Sequence, residues 1–309
     1  MKFIVTGGAG FIGSNLSRLL LSEGHDVIVV DDLSSGAREN VPAGARLVIG
    51  DVSDRRALEG VEAMARGDEV AIVHLAAVSG VVEAREDPSR AVRANVLGTQ
   101  EVLDMARRLD AYVTIASSAA VYGDVSDVPV KEDAPLRPTS LYGLTKLFDE
   151  QLAEQAYRDY GLRSSYLRLF NVYGPGMRRG PYASVIYNFM EAAIRGLRPV
   201  IYGDGLNTRD FVYVDDVARA FVEAVRRRAT GPFNVGTGRE VSVLDLLRLI
   251  SKVAGVELRP EFREPRPGDI RRSCADVSRA RESLGWEPRV SLEEGLRLTY
   301  SYMRERLRP

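Results

Sequence analysis

The sequence predicts an α/β protein: a doubly wound parallel sheet followed by a smaller α/β domain. Three observations carry this. Short, unbroken β-branched runs recur through the first half, stretches of helical periodicity separate them, and the texture changes after "SSYLRLFNVYGPG". Strands buried on both faces lose the apolar-polar alternation of half-solvated ones, so such runs imply a sheet covered by helices on either side. Taken in order, "KFIVTG" reads as a strand and "NLSRLLLSEG" as a helix, followed by strands "DVIVVDD" and "ARLVIGD". "RRALEGVEAMARG" is helical, "VAIVHLAA" a fourth strand, "VRANVLGTQEVLDMARRLD" helical, and "AYVTIASS" a fifth strand. Beyond this, Gly, Pro and Tyr with scattered Arg give way to shorter helices at "SVLDLLRLISKVAG" and "SLEEGLRLTYSYMRERL". The expected division is 1–172 and 173–309, the second part interleaved with the first. No internal repeat or low-complexity linker is visible.

Composition narrows the function. A chain of 309 residues and 34.0 kDa is long enough for about two domains and a core that needs no disulfide or metal. Net charge is −1 and the basic residues are dispersed, which argues against nucleic acid. Cys274 has no internal partner, and with only His25 and His74 beside it no zinc spacing exists, so no metal site is expected. "MKFIVTGGAGFIGSNL" lacks the long apolar segment and cleavage site of a signal peptide. No run of eighteen apolar residues suggests a membrane span, and the expectation is a soluble, cytoplasmic protein.

"FIVTGGAGFIGSNL" sets Gly7, Gly10 and Gly13 after a strand and into a helix start. Such a turn lets backbone N–H groups and the helix N-terminus approach a pyrophosphate, the Rossmann arrangement for a dinucleotide. Asp31 follows Gly13 by eighteen residues, at the end of the second strand, where a carboxylate accepts from both adenosine ribose hydroxyls and repels a 2′-phosphate. NAD is therefore favoured over NADP, Arg38 being the one nearby feature that would suit the phosphate. Asp32 reads as a solvated neighbour or turn former. In "IGDVSD", Asp51 has two readings, a contact to the adenine amino group or a helix N-cap, while Val52 would lie against the ring.

"TSLYGLTK" sets Tyr142 and Lys146 four residues apart behind the helix-start signals Pro138 and Ser140. Positions i and i+4 share a helical face. Lysine is scarce here, only Lys2, Lys131, Lys146 and Lys252 standing among thirty-eight arginines, and the two cations are not interchangeable in a site. A free phenol titrates near 10, a poor base at neutral pH. A lysine charge about 5 Å away, at an effective dielectric of about 20, contributes roughly 3 kcal/mol toward ionising it. "TIASSAAVYG" ends the fifth strand with Ser118, whose hydroxyl can donate to the oxygen the phenol deprotonates.

With these motifs in view, the chain resembles the extended short-chain dehydrogenase/reductase family, most closely its nucleotide-sugar 4-epimerases of the UDP-glucose/UDP-galactose type. "TGGAGFIGSNL", "HLAA", "NVLGT", "SSAAVYG", "YGLTK", "NVYGPG", "RDFVYVDDVARA", "FNVGTG" and "RPGD" carry the resemblance over nearly the whole chain. It implies that Tyr142 is the base, Ser118 its hydrogen-bonding partner, and Lys146 the residue that holds the nicotinamide ribose. It also implies cofactor contacts from Phe11, Ile12, Ala76, Asn95 and Phe170. Arg209, Arg266, Asp269, Asn171 and Tyr202 fall on substrate-contacting positions: the arginines for the diphosphate, Asp269 for the ribose, Asn171 for a phosphate or sugar oxygen, Tyr202 for the base. Arg178 and Arg179 either approach the substrate or form a solvated loop.

Dehydratases of this family carry an Asp-Glu pair after the catalytic hydroxyl residue, because loss of water needs another acid and base. Ala119 and Ala120 stand there, which supports epimerisation through a transient 4-keto sugar. Ser79 replaces a lysine that many such epimerases set against the cofactor phosphates. Ser273 replaces a bulky tyrosine and leaves room for an N-acetylhexosamine. The resemblance suggests a UDP-sugar as substrate and a homodimer formed through segments 90–109 and 143–159. Three readings follow: a 4-epimerase, a related enzyme acting irreversibly on a nucleotide sugar, and a non-catalytic NAD-binding regulator, which would have no use for Ser118, Tyr142 and Lys146 together.

Overall fold

The computed structural model describes residues 1–177, 180, 183–265 and 269–307. Six strands alternate with helices: β1 (Lys2–Thr6), β2 (Asp26–Asp31), β3 (Arg46–Ile49), β4 (Val70–His74), β5 (Tyr112–Ser118) and β6 (Ser164–Leu169). A seventh, β7 (Gly231–Val235), completes a sheet in the order β7, β6, β5, β4, β1, β2, β3, with every pairing parallel. Register runs Lys2 to Asp26 and Thr6 to Val30 on one side of β1, and Lys2 to Val70 and Thr6 to His74 on the other. The strand order reverses between β1 and β4, and their C-terminal ends part there into a crevice, where open sheets of this kind bind ligands.

The helices on this sheet are α1 (Phe11–Ser22), α2 (Arg55–Ala65), α3 (Gly98–Leu109), α4 (Leu141–Tyr160) and α5 (Val214–Arg227). Successive side chains of a strand point to opposite faces, so β1 divides its residues between two cores. Phe3 and Val5 join Leu16, Leu20, Phe221 and Trp286 beneath α1 and α5. Ile4 joins Ile28, Ile72, Leu58 and Met105 beneath α2, α3 and α4. The segment expected as a helix over 90–109 is helical throughout, Pro88–Val92 running through a π-helical stretch at Arg93–Leu97 into α3, with the short helix Val81–Glu86 before it.

A third core, with Ile186, Phe189, Leu246, Ile250 and Leu296, lies among Val185–Arg195, Val243–Ala254 and the last helix, Leu292–Leu307. The chain does not stay there after residue 172. Helix α5 and strand β7 return to the large sheet before the chain leaves it again. Buried Asp210 ties the two parts, taking the N–H groups of Thr237, Gly238 and Ala275 at 2.7, 2.9 and 3.1 Å and the Thr237 hydroxyl at 2.6 Å. Four donors offset much of the cost of burying that carboxylate. The motif residues "RDF" and "FNVGTG" are thus joined by a structural clamp.

Candidate active site

A cavity of about 1050 Å³ opens at the crevice between β1 and β4. Gly7, Gly10, Phe11, Ile12 and Gly13 line it, beside Leu75, Ala76, Ala77, Val78 and Ser79. Gly7 has φ +67°, and a Cβ there would lie 2.7 Å from the Ala76 nitrogen. A Cβ on Gly13 would drive into the Gly7 backbone. The glycines thus let strand, turn and helix meet closely while leaving backbone exposed to a ligand.

Asp31 ends β2 with its carboxylate held from both sides, accepting from Ala9 N–H at 2.9 Å through Oδ2 and from Leu33 N–H at 2.9 Å through Oδ1. Burial pushes it above the usual carboxylate range, against those two hydrogen bonds. Arg38 is not among the cavity's lining residues, whereas Glu39 and Asn40 are, and Arg90, which also lines it, donates to Ser34 Oγ at 2.9 Å. Asp51 and Val52 line the same cavity. The N-cap reading of Asp51 is not what forms: Asp54 caps α2 through Arg56 N–H, and Asp51 instead accepts from the Ser53 N–H and hydroxyl, both at 2.8 Å. An Asx turn is the local competitor of a cap, and it wins here.

Ser140 caps α4 by accepting from Gly143 N–H at 3.1 Å, which starts the helix so that Tyr142 and Lys146 face the cavity. Ser118 ends β5 and accepts from Ala120 N–H at 3.2 Å, leaving its own proton available. Lys146 is only 3% exposed and donates to Asp149 Oδ2 at 3.0 Å. Burial opposes its charge most strongly, yet Asp149, Tyr142 and Glu150 together hold it above the ordinary lysine range.

Ser118, Leu169, Phe170 and Asn171 also line a second, smaller cavity of about 170 Å³, with Ala119, Ala120, Tyr122, Arg209, Arg272 and Ser273. The two spaces therefore share Ser118, Leu169, Phe170 and Asn171 as a common border. Arg209 is engaged there with Asp269, and it donates to the carbonyls of Ile270 at 2.7 Å and Thr208 at 2.8 Å.

Three residues expected at the ligand are not among the lining residues of either cavity. Asn95 is fully buried and lines neither cavity; its amide accepts from Val78 N–H at 2.8 Å and donates to Thr145 Oγ1 at 2.8 Å, strapping the loop after β4 to α4. Tyr202 ends a short strand paired with Glu261–Arg263 and lies outside both linings, as does Asp269. Arg266, Arg178 and Arg179 fall outside the described residues. Conversely, Arg90, Arg93, Tyr302 and Arg306 line the large cavity, and Arg272 the small one. None of these has a sequence signal, because helix packing from distant segments brings them in. Asp149 does have one: with Tyr142 and Lys146 it occupies i, i+4 and i+7 of one helix face.

A glycine turn at the switch point of a doubly wound sheet, sharing one cavity with a serine and a Tyr-x-x-x-Lys pair, defines the extended short-chain dehydrogenase/reductase class. The family model described as GDP-mannose 4,6 dehydratase matches residues 4–299, and the chain belongs to that family. UDP-glucose 4-epimerase of Mycolicibacterium smegmatis is 40% identical over 99% of both chains. The UDP-glucose 4-epimerase of Thermotoga maritima, solved with UDP-glucose, matches with a TM-score of 0.96 at 38% identity over 100% of both chains. That of Thermus thermophilus, in complex with NAD, matches at 0.89 and 36% identity over 98% of this chain and 99% of its own.

Proposed function

We propose that the protein is an NAD-dependent isomerase that inverts C4 of a UDP-hexose, interconverting UDP-glucose and UDP-galactose. One observation carries the reading most. Tyr142, Lys146 and Ser118 face the same space as the dinucleotide turn, and the positions after Ser118 are alanines that line the adjoining cavity. Such a site can oxidise and reduce but has no additional acid or base at that point for eliminating water. The large cavity fits NAD by its glycine cradle, by the Asp31 carboxylate and by the absence of Arg38 from its lining.

In this reading Tyr142 takes the proton of the sugar 4-hydroxyl and later returns it. The Lys146 ammonium favours negative charge on the phenol oxygen and donates to the ribose of the nicotinamide. Ser118 donates its free proton to the reacting oxygen. NAD, which Gly7, Gly10, Gly13 and Asp31 would hold in the large cavity, would supply a reversible hydride acceptor for C4. The cycle restores the cofactor, so no external reductant is consumed. The first part of the chain serves the dinucleotide and the second the nucleotide sugar, with Arg209 as the cation for the diphosphate once it exchanges Asp269 for phosphate oxygens.

Incubation with UDP-galactose, UDP-N-acetylgalactosamine and UDP-galacturonate, without reductant, tests the function: conversion at C4 supports it, and turnover of none of the three refutes it. Asp31→Asn should weaken NAD binding by about 10- to 100-fold, the scale of a lost hydrogen bond to a charged acceptor. Because burial raises the Asp31 proton affinity, NAD affinity in the wild type should begin to fall at a pH above the ordinary carboxylate range; titration calorimetry checks both.

Ser273 lines the smaller cavity, and we assign it the space beside the sugar 2-position. Ser273→Tyr should lower kcat/KM for the N-acetylated sugar at least tenfold relative to the plain one, and an unchanged ratio would remove that assignment. Exposed Val92 and Leu97, with Leu144, Phe148 and Tyr157 of α4, form the apolar surface through which we propose the chain dimerises. A monomer mass by light scattering would contradict it. Among the described residues no helix is long and apolar enough to cross a membrane.

A further inference from the structure

We propose that Asp149 is a positioning residue for the reaction, the counter-ion that aims Lys146 and keeps it protonated, held in turn by a buried relay reaching the cofactor wall. The inference rests on the functional reading above only in its kinetic part.

Hydrogen-bond accounting gives the relay a single direction. Thr6 Oγ1 lies 3.2 and 3.3 Å from the backbone N–H groups of Leu75 and Ala76, both of which line the large cavity. With those two donors accepted, the Thr6 proton points to His74 Nδ1 at 2.7 Å. His74 then carries its proton on Nε2 and donates to Thr99 Oγ1 at 3.0 Å. The Thr99 hydroxyl donates to Asp149 Oδ1 at 3.0 Å, and Asp149 Oδ2 accepts from Lys146 Nζ at 3.0 Å. The Leu75 N–H is shared with the Thr6 carbonyl at 3.1 Å, each hydroxyl and ring proton is used once, and the chain ends on a carboxylate.

The relay requires a neutral imidazole. His74 is 1% exposed, and burial, helped by the Lys146 charge, pushes its pKa down to about 3. Thr6, Thr99 and Asp149 are each 0% exposed, so water cannot substitute for a missing partner.

The charged and titratable groups near Lys146 are few. On α4 itself stand Tyr142, Asp149 and Glu150; from β4 comes His74, which is neutral. Glu150 is committed elsewhere, accepting from Arg168 Nε and Nη2 at 3.0 and 2.7 Å and from Ser117. Asp149 is thus the acid in direct contact with the ammonium. Without its charge a lysine buried this deeply gives up its proton at lower pH. The geometry also has a cost. A carboxylate 3.0 Å from Nζ offsets part of the field that Lys146 exerts on the phenol, so Asp149 exchanges some activation of Tyr142 for a lysine that stays charged.

The scarcity of lysine makes a direct test feasible. With only four lysines, selective 13C-lysine labelling resolves the ε-carbon of Lys146 by NMR. In the wild type Lys146 should remain protonated beyond the ordinary lysine range; titration below that range would overturn the proposal without any variant having to fold. In Asp149→Asn the Lys146 signal should titrate at least one pH unit lower. The basic limb of the kcat profile should move down with it, kcat at pH 8 falling about tenfold or more while KM for the sugar changes less than threefold. Asp149→Glu should recover most of that loss. Thr99→Val, which removes the donor to Asp149 Oδ1 and no charge, should shift the limb less than Asp149→Asn does, and an unchanged limb would remove the relay from the proposal. An Asp149→Asn enzyme whose Lys146 titration and pH profile match the wild type would reduce Asp149 to a packing role and refute the inference.

Discussion

Tyr142→Phe should lower kcat by about 10²- to 10⁴-fold, the range contributed by a positioned general base, with NAD affinity and stability close to wild type. The basis is local. The Tyr142 ring packs against the buried cluster of Val78, Ala84 and Ala91, contacts phenylalanine preserves, whereas the hydroxyl faces the cavity shared with Ser118 and Lys146. Substrate should still bind, because Arg209 and the smaller cavity are untouched. Steady-state kinetics with UDP-galactose and calorimetry with UDP-glucose separate the two effects. Retention of even a tenth of wild-type kcat would move the base elsewhere.

Lys146→Met should be both inactive and unstable. Lys146 and Asp149 are 3% and 0% exposed, so removing the ammonium leaves a carboxylate buried without its counter-ion. Breaking a buried pair from one side costs about 3–5 kcal/mol, well above the loss from a surface pair. The sign of the pH dependence follows from Asp149, which burial already pushes above the usual carboxylate range. Deprived of Lys146, it becomes a group whose folded-state proton affinity exceeds the unfolded one. Stability from such a group is present at low pH and lost as pH rises, so the deficit of the variant should shrink between pH 8 and pH 5 in urea unfolding. Lys146→Arg keeps a cation for Asp149 and should fold, but its planar fork cannot sit where a compact ammonium does, and most activity should be lost. Full activity in that variant would mean the lysine is incidental.

Strands β1 to β5 are legible because each is a continuous apolar run, and the glycine turn and Asp31 because the chemistry of a dinucleotide dictates their spacing. Strand β7 is not, since "GPFNV" is short and its place at the sheet edge comes from pairing with β6, a contact across more than sixty residues. Asp149 shares the helical face of Tyr142 and Lys146, but an acid in a helix usually marks a solvated face, and its partners His74 and Thr99 come from other elements that only the fold brings to α4. Asn95 and Asp210 lie in motifs that resemblance links to the ligand, yet both are spent on holding loops. Arg306 has no local signal at all: it stands over the Tyr302 ring at 3.9 Å near the chain's end, and only the fold carries it to the cavity that Ser79 lines without a lysine.

The central claim is that hydride leaves C4 and returns to the same carbon within one binding event. UDP-galactose carrying deuterium at C4, incubated with the enzyme and NAD in ordinary water, tests it most directly by NMR or mass spectrometry of the product. The expected result is UDP-glucose with the deuterium still at C4. Washout of the label to solvent, or accumulation of a 4-keto sugar with reduced cofactor, would contradict it.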